Sequence, residues 1–326
     1  MDNSEEIAVK VEHLHKVFQS IRGFWKQKKH PVVAVEDISF TINKGELFGM
    51  VGPNGAGKTT TVKMLSTLLL PTSGTAEIFG MDVQRDTAEI RPRIGFTFGG
   101  NKGLYGRLSG LDNLRYFAEL YRIDLGMINK RIDELLEIVG LAGRENDRVE
   151  TYSSGMQQRL HLARAMLHDP DLIFLDEPTV GIDPIGAREI RALVKELVAL
   201  GKTILLTSHY MYEMEELCDR IAVVNHGKII ALDRPAALKA RSSGDSVVSI
   251  QSPHGSQALL ENLQVISQYL SRIHTSGDTL SIFTKTPSKV LNALAPLLEQ
   301  NIITNVEVRN ATLEDVYVQI VQNDEA

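Results

Sequence analysis

The chain has 326 residues, 43% hydrophobic and 23% charged, a balance ordinary for globular proteins that predicts two domains or one large domain with an appendage. The net charge of −6 argues against a general basic surface for nucleic acid, and no apolar run approaches the roughly 18 residues of a membrane span. The single cysteine, Cys218, excludes an internal disulfide and favours a reducing compartment, while the acidic N-terminus argues against a signal peptide.

The first predicted elements lie on either side of a glycine-rich turn. Residues 46–52 form a short apolar run that predicts a buried strand. Residues 58–70 carry apolar side chains at helical spacing, and Pro71 is predicted to end that helix. Upstream, residues 20–31 contain four cations and two aromatic residues. We interpret them as a solvated loop, with contact to an anionic membrane face or a partner loop as the alternative.

The middle of the chain, about residues 100–168, is predicted to be mostly helical. Ser109 and Asp112 form a capping-box pattern ahead of one amphipathic helix. Residues 129–140 form another, with apolar residues on one face and a glycine at the end. These helices interrupt the strand pattern, so the region reads as an insertion into an α/β domain.

Strands and helices alternate again after this region. Residues 171–176 and 202–208 are apolar strands on either side of an amphipathic helix at 188–200, which predicts a parallel sheet covered on both faces. Residues 220–232 predict a hairpin that turns at Asn225-His226-Gly227.

A polar segment at 239–247 is the predicted linker to a second, smaller domain. Beyond it, strands and helices alternate, which predicts an α+β domain with a ferredoxin-like arrangement as one candidate. The predicted strands are 246–250, 279–284 and 303–308, and the predicted helices are 256–270, 287–300 and 312–321.

Residues 52–60 match the phosphate-binding pattern G-x-x-x-x-G-K-[ST], placed between a strand and a helix as that pattern requires. Glycines let backbone N–H groups turn toward phosphates, and the following helix directs its positive end at them. Lys58 is predicted to reach the β- and γ-phosphates, and the Thr59 hydroxyl to ligate Mg²⁺. The predicted nucleotide-binding residues here are Gly52, Pro53, Asn54, Gly55, Ala56, Gly57, Lys58, Thr59 and Thr60.

Two adjacent carboxylates end the strand at 172–176. Asp176 is predicted to hold Mg²⁺ through water, and Glu177 to face the γ-phosphate and orient the attacking water. In an open α/β sheet, ligands bind beyond the carboxyl ends of the strands, where these two residues fall. The competing interpretation of each motif is structural: a chance glycine turn and a solvated acidic turn.

In this order, Lys58 and residues 152–159, 172–184 and 207–209 resemble the ATPase subunit of an ABC transporter. The resemblance covers residues 7–235. It implies three catalytic residues, Lys58, Glu177 and His209, the last as the switch histidine that contacts the γ-phosphate. It further implies that Phe18 stacks on adenine and that Asp183 is the D-loop aspartate. Ser153 and Gly155 are the residues that the signature segment retains, and they are predicted to contact nucleotide with Phe18 and Asp183.

The sequence departs from the family pattern after residues 93–98. The family places a glutamine there that touches Mg²⁺ and senses the membrane partner, whereas this chain has Gly99 or Gly100. Water, Asn101 or backbone is left to fill that position. In the signature segment, Ser154 replaces a glycine and is predicted to form a capping box with Gln157.

The resemblance implies that the signature segment closes over ATP held by a second copy of the chain, so that the homodimer forms and breaks with each hydrolysis cycle. It also implies separate transmembrane permease subunits, which contact the helical region including residues 99–117, and a peripheral position on the cytoplasmic face of the membrane. The C-terminal domain looks like that of ABC-2 type exporter ATPases. No nucleic-acid partner is expected.

The fold class that follows is α/β: a P-loop NTPase core with a mostly parallel sheet, an inserted helical subdomain, and a small C-terminal α+β domain. The predicted domains are residues 1–240 and 246–326. Two other functions stay open, a soluble ABC-type ATPase acting on ribosomes or nucleic acid and a nucleotide-dependent regulator that does not hydrolyse ATP. A single phosphate loop and the presence of Glu177 and His209 argue against them.

Overall fold

The computed structural model describes residues 6–22, 28–99, 103–240, 246–251, 272–276, 279–300 and 302–324. The chain divides into two compact units, Met1–Leu232 and Asp233–Ala326. The first unit carries a ten-stranded sheet and the second a four-stranded sheet. None of the helices in these ranges combines the length and the apolar character needed to cross a membrane.

The strands of the first sheet vary widely in length, from two residues to sixteen. In chain order they are β1 (Ile7–Arg22), β2 (Lys28–Asn43), β3 (Leu47–Val51), β4 (Ser73–Ile78), β5 (Met81–Asp82), β6 (Ile94–Phe98), β7 (Leu172–Asp176), β8 (Thr203–Ser208), β9 (Arg220–Asn225) and β10 (Lys228–Asp233). Their order across the sheet is β5-β4-β1-β2-β10-β9-β3-β8-β7-β6.

The helices of the first unit alternate with the strands after β7, as predicted, and three of them follow one another between β6 and β7. They are α1 (Lys58–Leu65), α2 (Thr87–Ile90), α3 (Gly110–Leu120), α4 (Leu125–Ile138), α5 (Ser154–Ala165), α6 (Pro184–Ala199) and α7 (Met211–Leu217), with single 3₁₀ turns at Arg91–Arg93 and Val149–Thr151. The region predicted to be helical therefore contains α3, α4 and α5. Ser109 caps α3, as its side chain accepts a hydrogen bond from Asp112 N.

The five strands β9, β3, β8, β7 and β6 are parallel neighbours. Every residue of β3, β7 and β8 is buried, which agrees with the continuous apolar runs that predicted a parallel sheet. The predicted hairpin joins β9 and β10 at residues 226–227. The carboxyl ends of β3, β7 and β8 lie side by side, and each leads directly into a segment predicted to carry site residues.

The other part of the sheet is antiparallel, through the pairs β1–β2, β1–β4 and β4–β5. This section is not predicted by the apolar pattern of the sequence. Strand β2 buries Val35, Ile38, Phe40 and Ile42 with exposed or half-buried polar residues between them, so it lacks the unbroken apolar run that marks the parallel strands.

Two predicted boundaries in this unit are wrong. Helix α1 ends at Leu65, well before Pro71, because the N–H groups of Leu68 and Leu69 both bond to Lys63 O and close the helix end. The predicted loop at residues 20–31 is largely strand, since β1 runs to Arg22 and pairs there with Lys28 of β2. Residues 23–27, with both aromatic residues of that segment, lie outside the described residues.

The second unit contains an antiparallel sheet of β11 (Ser246–Gln251), β12 (Arg272–Ser276), β13 (Thr279–Thr284) and β14 (Asn305–Asn310), in the order β12-β13-β11-β14. Strand β13 separates β11 from β12, which is the split arrangement expected of a ferredoxin-like domain. The described helices are α8 (Pro235–Ala240), α9 (Pro287–Glu299) and α10 (Leu313–Asp324).

The core of this second unit forms where α9 packs on the sheet, through Val290 and Leu294 against Val248, Ile250 and Ile282. Strand β12 was not predicted from the sequence, and the helix predicted at 256–270 lies outside the described residues.

Candidate active site

A cavity of about 310 Å³ lies beyond the carboxyl ends of the central parallel strands. It brings together the phosphate-loop residues, the carboxylate that follows β7 and the first part of β2. Its lining consists of Val32, Val33, Ala34, Asn54, Gly55, Ala56, Gly57, Lys58, Thr59, Thr60 and Glu177.

The phosphate loop needs glycine for conformation and for space. Gly57 has φ +106°, and a Cβ there would lie 2.6 Å from Ala34 O. A Cβ on Gly52 would lie 2.1 Å from Val224 O, so that glycine lets β3 and β9 stay in contact. Gly57 is also the N-cap of α1 and offers no side chain to cap it, which leaves the first N–H groups of the helix available to an anion.

Lys58 is an ammonium held inside the loop, with only 4% of the residue exposed. It donates hydrogen bonds to Gly52 O at 2.7 Å and Pro53 O at 3.1 Å. Burial lowers the pKa of Lys58, and the nearby carboxylate of Glu177 offsets part of that effect. A buried cation beside an uncapped helix N-terminus fits a polyphosphate, whose negative charge would stabilise the ammonium.

Thr59 and Asp176 are 117 positions apart in the chain, and the fold places them in contact. The Thr59 hydroxyl donates to the Asp176 carboxylate, at 2.8 Å to Oδ2 and 3.1 Å to Oδ1. Within the described ranges, no group of three or more His, Cys, Asp or Glu side chains could hold a metal ion by itself. One hydroxyl and one carboxylate fit Mg²⁺, which binds through few protein oxygens together with substrate phosphates.

Glu177 stands between two groups predicted to act on the γ-phosphate. Its Oε1 lies 3.6 Å from Lys58 Nζ, and its Oε2 lies 3.4 Å from His209 Nδ1. The backbone of Glu177 has φ +51°, in the left-handed region that non-glycine residues seldom adopt. Its N–H donates to Thr207 O at 3.0 Å, which holds this conformation against β8. The three predicted catalytic residues therefore meet at one place.

Phe18 lies on β1, directly opposite Val32 of β2. Phe18 is 41% exposed, and Lys16 Nζ lies 5.3 Å from the centroid of its ring. Phe18 does not line the phosphate cavity, but its neighbours Val32 and Val33 do, and both are half exposed. An exposed aromatic ring beside apolar side chains offers a stacking surface for a planar base next to the phosphate cavity.

The segment predicted as the signature lies at the start of α5. The capping box predicted for Ser154 and Gln157 is wrong: Ser153 is the N-cap and accepts from Met156 N at 3.2 Å. The Gln157 amide instead donates to Val149 O and Tyr152 O, which hold it back toward the preceding turn. Shifting the cap by one residue leaves both serines exposed at the helix N-terminus.

Asp183 caps the neighbouring helix α6 and accepts from Ile185 N and Gly186 N. A Cβ on Gly155 would lie 3.6 Å from Gly186 Cα, so the N-termini of α5 and α6 pack together. The cavity lining does not include Ser153, Gly155 or Asp183. The structure therefore groups the predicted site residues into two sets, one at the phosphate loop and one at these two helix N-termini.

Residues 35–180 match the family model of ABC transporters. The chain is 42% identical over 206 residues to the ABC transporter ATP-binding protein NatA of Bacillus subtilis, which covers 63% of this chain and 84% of that protein. It is 35% identical over 316 residues to the daunorubicin/doxorubicin resistance ATP-binding protein DrrA of Streptomyces peucetius, covering 96% of this chain and 90% of the relative. The chain belongs to the ABC transporter ATP-binding proteins.

A solved ATP-binding cassette, described as the dimeric structure of a post-hydrolysis state bound to ADP and Pi, has the same core fold. The TM-score is 0.61 at 26% identity, over 69% of this chain and 98% of that chain. As a member of the ABC family, this protein is an ATPase subunit that powers transport.

The departure from the ABC family pattern lies beside the two carboxylates. A Cβ on Gly99 would lie 3.2 Å from the carbonyl oxygens of both Asp176 and Glu177, so the chain passes close to the end of β7. Gly100 and Asn101, the other candidates for the glutamine position, lie outside the described residues. A glycine at position 99 supplies no side chain to the site.

Thr207 is a further candidate site residue, to which the sequence pattern assigns no role. Its hydroxyl donates to Asp176 Oδ1 at 2.5 Å and accepts from Glu177 N at 3.2 Å, so it orients both carboxylate-bearing residues. The available signal was its position at the end of a buried strand, two residues before His209, where a hydroxyl must find a polar partner.

Proposed function

We propose that this ABC ATPase hydrolyses Mg²⁺-ATP at the phosphate-loop cavity. Lys58 and the N-terminus of α1 bind the phosphates, and the Thr59 hydroxyl and the Asp176 carboxylate hold Mg²⁺. When bound, Mg²⁺ neutralises charge on the phosphate oxygens. Glu177 orients the attacking water, and His209 supports that geometry from the other side of the Glu177 carboxylate.

The observation that carries this proposal is the position of the Glu177 carboxylate. It lies within 4 Å of both Lys58 Nζ and His209 Nδ1 and faces the cavity that the phosphate loop lines. A carboxylate at the rim of a phosphate site, next to a group that binds phosphate, can accept hydrogen bonds from a water in line with the γ-phosphate.

We propose further that two copies of the chain close around ATP. Ser153, Gly155 and Asp183 are absent from the cavity lining, and the two serines at the N-terminus of α5 are exposed. An exposed helix N-terminus favours an anion, and in a dimer that anion would be the γ-phosphate held by the partner copy. Phe18 stacks on the adenine of the nucleotide bound to its own chain.

We also propose that the dimer works beneath separate membrane subunits and exports its substrate. The surface at α3 and the turn before it exposes Tyr105, Leu108, Tyr116 and Leu120, a set of apolar side chains suited to a protein partner. The similarity to the resistance protein DrrA spans 96% of this chain, which includes the C-terminal unit. Co-purification with ribosomes or DNA instead of a multi-span membrane protein would contradict this proposal.

The test of the hydrolytic site is the Glu177→Gln substitution, which keeps the shape and removes the charge. We expect ATP binding within about threefold of wild type and turnover lower by roughly two to three orders of magnitude, since a group that orients the reacting water acts in the transition state. Steady-state phosphate release and the affinity for a fluorescent ATP analogue measure the two effects.

The matched control is Glu196→Gln, which makes the same change on the exposed face of α6 and should leave both quantities unaltered. Near-normal turnover in Glu177→Gln would remove Glu177 from the proposed role. Absence of any phosphate release from the wild-type protein would instead favour a non-hydrolysing regulator.

A further inference from the structure

A buried carboxylate on α7 lies behind the proposed catalytic residues. Glu213 is only 2% exposed and does not line the nucleotide cavity. Its Oε2 accepts hydrogen bonds from the Thr179 hydroxyl at 2.8 Å and the Ser208 hydroxyl at 3.2 Å. Its Oε1 accepts from Arg191 Nη1 at 3.2 Å. Burying an ionised carboxylate is costly unless it is paired and hydrogen-bonded, and Glu213 meets both conditions.

The first donor, Ser208, immediately precedes His209 in the chain. The Ser208 hydroxyl donates to Glu213 and accepts from Tyr210 N at 2.9 Å. The backbone is thus tied to Glu213 on one side of His209 and to the Ser208 hydroxyl on the other. Because both flanks of His209 are fixed, the direction in which its imidazole leaves the backbone is fixed as well.

The second donor, Thr179, follows Glu177 by two residues and begins the segment that leads to Asp183. Thr179 is buried, and its carbonyl accepts from Ile182 N at 3.3 Å within that segment. The bond from Thr179 to Glu213 therefore anchors the chain between the proposed catalytic glutamate and the cap of α6.

The third donor, Arg191, lies on α6, the helix that Asp183 caps. Its side chain is largely buried, and besides Glu213 it pairs with Glu216 at 3.0 Å and donates to the Tyr212 hydroxyl at 2.7 Å. The Glu213 carboxylate thus connects the ends of β7 and β8 to α6. These elements carry Glu177, His209 and Asp183.

From this convergence we infer that Glu213 is a positioning residue for ATP hydrolysis. Its hydrogen bonds fix the position of the Ser208–Tyr210 turn relative to the 177–183 segment, so that His209 stays 3.4 Å from Glu177. This inference rests on the proposed function of Glu177 and His209. A salt bridge that only fastened α6 to α7 would need Arg191 alone. The two hydroxyl donors come instead from the segments next to the proposed catalytic residues.

The main test compares Glu213→Gln with wild-type protein in the full-length chain. An amide can accept from the hydroxyls or face Arg191 with its oxygen, but it cannot do both. Misplacement of reacting groups by a fraction of an ångström lowers rates steeply, so we expect kcat to fall on the order of 10- to 100-fold with KM for ATP within about threefold. Lys195→Ala, which removes an exposed pair with Glu216, is the control and should leave kcat unaltered.

A second pair of variants keeps the Arg191–Glu213 charge pair and removes one hydroxyl. Thr179→Val is isosteric and lacks the donor, whereas Thr179→Ser retains it. We expect Thr179→Val to lower kcat and Thr179→Ser to restore it, with Thr179→Val still folded at the assay temperature although it loses a buried hydrogen bond. If Glu213→Gln fails to fold, the comparison of Thr179→Val with Thr179→Ser still tests the inference.

The inference would be overturned by a wild-type kcat in Thr179→Val. It would also be overturned if KM changed as much as kcat in Glu213→Gln, or if Glu213→Gln had a lower melting temperature with an unaltered kcat. Failure of the proposed function looks different. In that case Glu177→Gln itself retains turnover. If Glu177→Gln is inactive and the Glu213 and Thr179 variants turn over normally, only the positioning role fails.

Discussion

The ionisation and packing of individual side chains in this protein often depend on the residues around them in space rather than on their neighbours along the chain. His161 on α5 is 1% exposed, and neither ring nitrogen has a hydrogen-bond partner among the described residues. Burial lowers the pKa of His161 to about 4, with a further contribution from the positive charge of Arg164. A histidine in this environment is neutral in the folded protein and packs as an apolar ring.

This burial predicts a specific dependence of stability on pH. Below pH 6.5 the unfolded chain binds a proton on His161 that the folded protein does not bind until about pH 4. The contribution of neutral His161 to the free energy of unfolding is therefore complete above pH 6.5. It decreases toward pH 4, by about 3 kcal/mol in total. His161→Leu should flatten the pH dependence of the urea midpoint over that range.

The control for this prediction is Met156→Leu, which changes an apolar residue of the same helix and should retain the wild-type slope. An identical slope in His161→Leu would mean that the folded protein admits the proton as readily as the unfolded chain.

At the scale of elements, the position of α5 depends on how closely it can approach β6. Gly95 of β6 faces the last turn of α5, and a Cβ there would lie 2.4 Å from Ala165 O and 3.1 Å from Pro170 Cγ. The same helix begins at Ser153, one of the residues proposed to bind the partner's nucleotide. Backbone packing at one end of α5 therefore helps to set the position of its N-terminus, where the partner's nucleotide is proposed to bind.

Gly95→Ala should push α5 away from β6, because the contacted atom is backbone and cannot rotate aside. We expect a loss of about 1–3 kcal/mol in the free energy of unfolding, measured by urea denaturation. Gly126→Ala, on the exposed first turn of α4, is the control and should alter stability by less than about 1 kcal/mol. Equal effects of the two changes would show that α5 and β6 adjust without strain.

For the whole molecule, the decisive feature is that the proposed site residues form two separate sets. The phosphate-loop set includes Lys58, and the other set lies at the N-termini of α5 and α6 with Ser153. If each ATP contacts the phosphate-loop set of one copy and the α5/α6 set of the other, a copy with a lesion in one set should be complemented by a partner with a lesion in the other set.

Mixing Lys58→Ala with Ser153→Arg tests this arrangement. Each variant alone should be inactive. In a mixed dimer, one site carries both lesions, and the other combines intact Lys58 with intact Ser153. We expect part of the ATPase activity, at most about half per mixed dimer, to return on mixing, as measured by phosphate release.

Dimer formation is checked separately by size-exclusion chromatography with ATP in a Glu177→Gln background. A stable mixed dimer that fails to hydrolyse ATP once Glu177 is restored would contradict action across the dimer. That result is expected if Ser153 serves the ATP of its own chain, because every site of the mixed dimer then carries one lesion.

Local spacing was enough to name most residues of the candidate site. The phosphate loop needs glycines and a lysine at fixed separations, and strands β3, β7 and β8 are apolar throughout because both faces are covered. Each of these patterns lies within a short continuous stretch of sequence. The P-loop core and the candidate residues from Lys58 to His209 could therefore be predicted from the sequence and the family resemblance.

Contacts between distant segments could not be read in the same way. The antiparallel section of the sheet, the cap at Ser153 and the Thr207 contact with Asp176 depend on which strands become neighbours and which donor is nearest. Glu213 is one acidic residue among several on an ordinary helix until Thr179, Ser208 and Arg191 surround it. The sequence determined which groups are proposed to perform the chemistry, and tertiary structure decided what orients them, because hydrogen bonds form between atoms close in space whatever their separation along the chain.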